Sequence, residues 1–159
     1  MNVQHHQPQN EILQKYIEFY YFLKTDSSDF NTKYYAFPNI LTPLSIHQNV
    51  ETEIKPYATG VFESPKNNNL ALIQGMRRQP LFVNLRGKLD KITIVFKPLG
   101  LNQFVKKSFA EVCPKDSQVF TEWDNNIEYR EFLQNFYSTE NQVERIQCLE
   151  EFLVKIYHP

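Results

Sequence analysis

The spacing of apolar and polar positions changes twice along the chain. Between residues 10 and 24, Ile12, Leu13, Tyr16, Ile17, Tyr20 and Leu23 begin at helical spacing behind a candidate N-cap, Asn10. The aromatic block Phe19-Tyr20-Tyr21-Phe22 in the same stretch suits a strand. The segment therefore predicts a short helix that passes into a strand. The ten residues before it are polar and predict a frayed arm. TDSSDFNTK at 25–33 has the composition of a polar loop. From 33 to 97 the texture is a series of short β-like runs: YYAF, LTPLSIH, VETEIKPYATGVF, NLALIQG, PLFVNLRG and KITIVFKP. Pro38-Asn39 marks a turn, and Pro56 marks an edge position or a break. LRGKLDKI predicts a tight hairpin around Gly87. Many short strands at this spacing predict an antiparallel sandwich or small barrel, and no βαβ alternation is visible.

After Pro98 the period lengthens. GLNQFVKKSFAEV at 100–112 carries Leu101, Phe104 and Val105 at helical spacing. Asp124 or Asn125 is a candidate cap for a helix to about 137, with Ile127, Phe132, Leu133 and Phe136 on one side. Ser138 or Thr139 is a candidate cap for the last helix, where Val143, Ile146, Leu149, Leu153 and Ile156 make an amphipathic stripe. The expected class is α+β: a small antiparallel β-barrel or sandwich followed by two to three C-terminal helices. One domain over 1–159 is expected, β-rich at 17–98 and helical at 100–158.

Composition narrows the function classes. The chain has 159 residues, 17 Lys+Arg against 18 Asp+Glu, and a formal net charge of −1. That length suits one domain of about 150 residues, and the charge balance argues against a highly basic nucleic-acid binder. The 13 Phe and 9 Tyr against 4 Gly argue against disorder and against a Gly-rich phosphate-binding loop. Cys113 and Cys148 show no disulfide framework and are expected as free thiols in a reducing compartment. The N-terminus lacks the basic and apolar regions of a signal peptide, and no apolar run approaches the roughly 20 residues of a membrane span. A cytoplasmic protein without membrane contact is expected.

Few residues suggest chemistry. Adjacent His5 and His6 lie in the polar arm, and His47 is the one histidine in a β segment, so no metal cluster, cofactor or catalytic set is expected. No nucleophile elbow is present. Arg77 and Arg86, with Arg78 and Lys88, cluster around the predicted hairpin. An arginine fork can hold an anion, although edge strands also carry such charges for solubility. Aromatic residues at inward positions of a small barrel can line a cavity. Tyr35, Phe37, His47, Phe62, Arg77, Phe82 and Arg86 are therefore the candidate ligand-binding residues.

Several stretches resemble the N-terminal sensing domain of AraC-type bacterial transcription regulators. The opening PQNEILQKYIEFYYFL is similar in Pro8, Leu13, Tyr16, Ile17, Tyr20 and Tyr21. FPNILTPLSIHQN is similar in Phe37, Pro38, Leu44 and Ile46. ITIVFKPLGLNQFVKKSFAEV resembles a strand, a Pro-x-Gly turn and a short helix, through Phe96, Pro98, Gly100 and Phe104. VERIQCLEEFLVKIYHP resembles the helix that leads into the DNA-binding half. The resemblance implies a cupin-like barrel without metal ligands, a small-molecule effector and a homodimer. Val143, Ile146, Leu149, Leu153 and Ile156 would form the dimer interface, unless the stripe packs on its own barrel. DNA would be contacted only through a helix-turn-helix half absent from this chain. The alternatives are a stand-alone protein-interaction domain and, less favoured, a small β-barrel enzyme using His47.

Overall fold

The computed structural model describes residues 2–66 and 68–159. Among these, ten strands form two sheets. The larger contains β1 (Asn2–His6), β2 (Ile17–Lys24), β4 (Thr42–Gln48), β7 (Asn69–Gln74), β9 (Asp90–Phe96) and β10 (Ser117–Val119). Its spatial order is β1-β2-β9-β4-β7-β10. The smaller contains β3 (Asn31–Ala36), β5 (Val50–Lys55), β6 (Ala58–Glu63) and β8 (Leu81–Arg86), in the order β3-β8-β6-β5. All these pairs are antiparallel except β6 with β8. The two sheets do not close on each other, so the α+β fold takes the sandwich form.

The chain passes between sheets at sharp corners. Asn49, with φ 56°, turns β4 of the larger sheet into β5 of the smaller. Gly87, with φ 90°, turns β8 back into β9. The residues around Gly87 are thus a crossover, and the hairpin expected there does not form. Thr25 holds this corner: its hydroxyl donates to the Gly87 carbonyl at 2.7 Å and accepts from the Leu89 amide at 2.8 Å. The hairpin that does form joins β5 to β6 through Pro56 and Tyr57.

Each face of the larger sheet has its own partner. Tyr20 and Phe22 of β2, Leu44 and Ile46 of β4, Ala71 and Ile73 of β7, and Ile92, Ile94 and Phe96 of β9 pack against the C-terminal region. The opposite face meets the smaller sheet through Leu23, Leu72 and Leu89 against Val50, Val61, Leu81, Val83 and Leu85. The C-terminal layer is built from a 3-10 turn at Gly100–Phe104, α1 (Phe109–Val112), α2 (Ile127–Tyr137) and α3 (Gln142–Ile156). Residues 100–112 therefore do not make one helix. Asn126 caps α2 by accepting from the Glu128 amide, and Asn141 caps α3 by accepting from the Glu144 amide. Both caps lie later than the expected ones. Ile127 is exposed.

One further expectation fails. The N-terminal arm is not frayed: β1 pairs with β2, His5 stacks on Phe19 and Tyr21, and His6 bonds Gln142 at 2.9 Å. Met1 lies outside the described residues. Of the two placements open to the α3 stripe, the structure shows packing on its own domain. Ile146, Leu149 and Leu153 are buried in the core of their own domain and Ile156 packs against it, which leaves only Val143, 74% exposed, pointing out. The large sheet has an apolar face of its own to cover, and the stripe covers it.

One ion pair ties α3 to the sheet. The Arg145 guanidinium forks onto Asp90 of β9 at 2.8 and 2.9 Å. It also donates to the Thr139 carbonyl at 2.7 Å and lies over the Phe136 ring. A buried pair is costly to break, because one charge is left without its partner. Arg145→Ala is expected to lower the unfolding free energy by about 3 kcal/mol in urea titration. Adding Asp90→Ala is expected to cost less than the sum of the two single changes, since the orphaned charge is removed.

Candidate functional site

Strand alternation gives β9 two unlike faces. Ile92, Ile94 and Phe96 point to the helices, while Lys91, Thr93 and Val95 point to the smaller sheet. β4 follows the same rule, so Ser45 and His47 lie opposite Thr93 and Lys91. A polar row therefore runs through the space between the sheets. Ser45 and Thr93 share a hydroxyl hydrogen bond at 2.7 Å. His47 is 1% exposed and its Nδ1 has no hydrogen-bond partner. Lys91 is 5% exposed, and its ammonium lies 5.4 Å from the centre of the Tyr21 ring. Among the described residues no carboxylate forms an ion pair with Lys91.

An open cleft of about 220 Å³ lies beyond this row. Phe19, Tyr21 and Val95 from the larger sheet and Tyr34 and Ala36 from β3 wall it, with Pro43, Gln74, Phe37 and Arg77 also lining it. It is smaller than the roughly 300–1,000 Å³ of drug-sized sites and suits a compact molecule. Arg77 closes one end by donating to the carbonyls of Ala36 at 2.6 Å, Phe37 at 3.3 Å and Gly75 at 3.3 Å. Its Nε is buried without a partner.

Electrostatics in this space follow burial and one cation. Burial holds His47 well below its ordinary value, and the Lys91 charge pushes it the same way. The imidazole is therefore neutral at neutral pH. Burial raises the Tyr34 phenol, with the Lys91 charge opposing the rise. Desolvation lowers Arg77, against the opposite pull of Asp116.

The expected ligand residues separate into two groups. Phe37 and Arg77 line this cleft, Phe37 as a rim residue at 72% exposure, while His47 lies between the sheets in the polar row and does not line it. Tyr35, Phe62, Phe82 and Arg86 sit on the outer face of the smaller sheet. There Tyr35 packs on Phe82 with centroids 5.4 Å apart, and Arg86 lies 4.2 Å over Phe62. The inner positions of these strands belong to Tyr34, Ala36, Val61, Val83 and Leu85. A shift of one residue exchanges faces, and the choice between Tyr34 and Tyr35 turned on that shift. Lys91, Tyr21 and Tyr34 are not among the candidate ligand-binding residues of the sequence. The available signal was the alternation in KITIVF, where one face carries Lys-Thr-Val and the other Ile-Ile-Phe.

Other chemistry is sparse. Among the described residues no group of three His, Cys, Asp or Glu side chains is placed to hold a metal ion. Among the described residues no carboxylate is hydrogen-bonded to His47. Cys113 and Cys148 are free, and burial pushes both thiols up. No described helix is long and apolar enough to cross a membrane. A larger groove of about 910 Å³ runs along α3 beside the N-terminal segment, lined by His6, Val143, Ile146, Glu150 and Val154 among others. Glu150 is already engaged there by the amides of Gln9 and Asn10 at 2.9 Å and by the Tyr20 hydroxyl at 3.0 Å.

A family model described as a domain of unknown function, DUF6597, matches residues 4–117. The match spans the two sheets and ends at the first residue of β10, before α2 and α3. No curated protein and no solved structure matches the chain.

His47 sets a pH dependence. Its folded pKa is depressed, so below the ordinary value of 6.5 the unfolded chain binds a proton that the folded protein resists. This contribution to stability is complete above that value and is lost as the pH falls through it. Urea titrations between pH 7.5 and 5.5 are expected to show a steeper acid loss for the wild type than for His47→Gln. The difference approaches one proton, about 1.4 kcal/mol per pH unit.

Proposed function

The chain belongs to the DUF6597 family, and from that premise we propose that it is a non-catalytic effector-binding module of an AraC-type transcription regulator. The observation that carries this reading is the cleft between the sheets, walled by aromatic rings and backed by a buried polar row that internal bonds leave incomplete. Such a pocket, apolar with a few convergent polar groups, is the usual form of a small-molecule site.

The connection to the helices supports a regulatory role. Asp90 and Lys91 are adjacent on β9 and point to opposite faces. Asp90 is gripped by Arg145 of α3, while Lys91 faces the inter-sheet space. The Tyr137 hydroxyl of α2 lies 3.1 Å from the Ile46 carbonyl and 3.3 Å from the Asp90 carbonyl, the residues just before His47 and Lys91. A ligand that moves this rung moves the anchors of both long helices. Regulation then requires unequal ligand affinity for two helix arrangements, not tight binding alone. A protein-interaction role is the second reading, favoured by the groove along α3 and by exposed Val143 and Val154.

The cleft is testable without knowing the ligand. A screen of small metabolites by thermal shift is expected to yield compounds that raise the melting temperature of the wild type. Ala36→Phe, which fills the cleft, is expected to abolish that shift while keeping the fold; a retained shift would place binding elsewhere. In this reading DNA contact belongs to helix-turn-helix units beyond Pro159. Titration of duplex DNA with this chain alone is expected to show no salt-dependent association, and such association would sink the assignment.

A further inference from the structure

The C-terminal layer covers the larger sheet and leaves the outer face of the smaller sheet to solvent. Two small residues lower the middle of that face. Gly60 lies in register with Asn84 and Glu53, and Ala58 with Phe82 and Lys55. Above them is a depression of about 190 Å³, walled by Phe62 and Phe82 and rimmed by Asn84, Glu53 and Lys55. A side chain at Gly60 would collide with the tip of the Phe62 ring. Arg86 lies 4.2 Å over Phe62, and Tyr35 packs on Phe82 at 5.4 Å, yet neither Arg86 nor Tyr35 lines the depression. These contacts fix the two rings without filling the space between them.

The polar rim is available to a ligand. The Asn84 amide makes no hydrogen bond among the described residues, and its Oδ1 is buried without a partner. That leaves the amide nitrogen as the end a ligand can reach, and a half-turn of the amide presents the oxygen instead. Glu53 and Lys55 pair at 2.8 Å with 58% and 70% of their side chains exposed. An ion pair so exposed contributes little to the fold and can trade partners. The carboxylate accepts, the ammonium donates, the amide does either, and the two charges cancel. A charged ligand meets no net field, and an apolar one leaves these groups unmatched. A nucleotide would bring its phosphate beside Glu53. A neutral ring with an apolar C–H face and hydroxyls at its edge matches every group: each hydroxyl donates and accepts, and an aromatic face attracts C–H.

We propose that this depression binds a pyranose ring, held between Phe62 and Phe82 with its hydroxyls on Asn84, Glu53 and Lys55. The site is separate from the inter-sheet cleft and does not rest on the effector reading. A free monosaccharide and one residue of a longer glycan share this chemistry. In the glycan case Tyr35, 61% exposed beside Phe82, would carry the next residue.

The test follows the isotope-labelled whole chain by NMR during titration with methyl pyranosides of glucose, galactose, mannose, xylose and N-acetylglucosamine, and with a trisaccharide of each. At least one is expected to shift the Asn84 side-chain amide and to saturate with a Kd below about 1 mM. Asn84→Leu and Phe82→Ala are each expected to weaken binding about tenfold, and Ala36→Phe, which acts in the cleft, to leave it unchanged. A trisaccharide that binds about tenfold tighter than its monosaccharide, with the gain lost in Tyr35→Ala, identifies a glycan as the source. Equal affinities identify a free sugar. Saturation by no pyranoside overturns the proposal, as does binding that survives both Asn84→Leu and Phe82→Ala. Loss of binding in Ala36→Phe moves the sugar to the cleft and overturns this site. Cyclohexylmethanol or adenosine moving the Asn84 amide as well as every sugar overturns the ligand class. The wild-type amide reports the site directly, so the test stands even where a variant fails to fold.

Discussion

The fold depends on one constraint: a six-stranded sheet has two faces, and each must be covered. β9 lies between β2 and β4 and shows the two solutions side by side. On one face Ile92, Ile94 and Phe96 meet an aromatic layer from the C-terminal region, including Trp123, Phe132, Phe136 and Phe152. Trp123 packs edge-on against Phe120 and Phe152, and its indole donates to the Phe104 carbonyl at 2.8 Å. On the other face Lys91, Thr93 and Val95 meet the smaller sheet. Apolar contact drives the first layer. The second combines an aliphatic cluster with a polar row, and polar groups left incomplete there keep part of the space from closing as a dry core.

On the helix side Arg145 pairs with Asp90, Glu150 accepts from three donors and the indole has its carbonyl, while the buried side-chain oxygens of Thr42 and Asn102 have no partner. Across the sheet, His47 lacks a partner at Nδ1 and Lys91 lacks a counter-charge. Buried polar groups in folded proteins are nearly always paired, and of the unpartnered ones here only the Arg77 Nε belongs to a residue that lines the cleft. The two faces meet at the Asp90–Lys91 step, where consecutive side chains of one strand serve opposite layers. Any function that links the cleft to the helices passes through a rung held by Tyr137 and Arg145.

The DUF6597 match covers the sheets and stops before the two long helices. The matched residues hold the sandwich and every residue that lines its cleft, and α2 and α3 are joined to it through packing and the Arg145–Asp90 pair. The α3 stripe closes the domain on itself, and on its outer side β1 and Gln9–Asn10 contact the helix.

Much of this was visible in the chain itself. The short β runs between 33 and 97, the strand at 17–24 and the two final helices follow from local periodicity and turn residues, which depend only on neighbours in sequence. Candidate residues Phe37, His47 and Arg77 belong to the inter-sheet space. What periodicity cannot supply is which strand pairs with which and which of two alternating faces turns inward. The run around Gly87 is a crossover, not a hairpin, because β8 and β9 find their partners in different sheets. Tyr35, Phe62, Phe82 and Arg86 point outward because pairing register, set by the whole sandwich, assigned the inner positions to their neighbours. The N-terminal segment became a strand because β2 offered an unpaired edge, and Lys91 became a buried cation because β9 took the centre of the larger sheet. These outcomes depend on contacts between residues distant in sequence, and only the tertiary structure decides them.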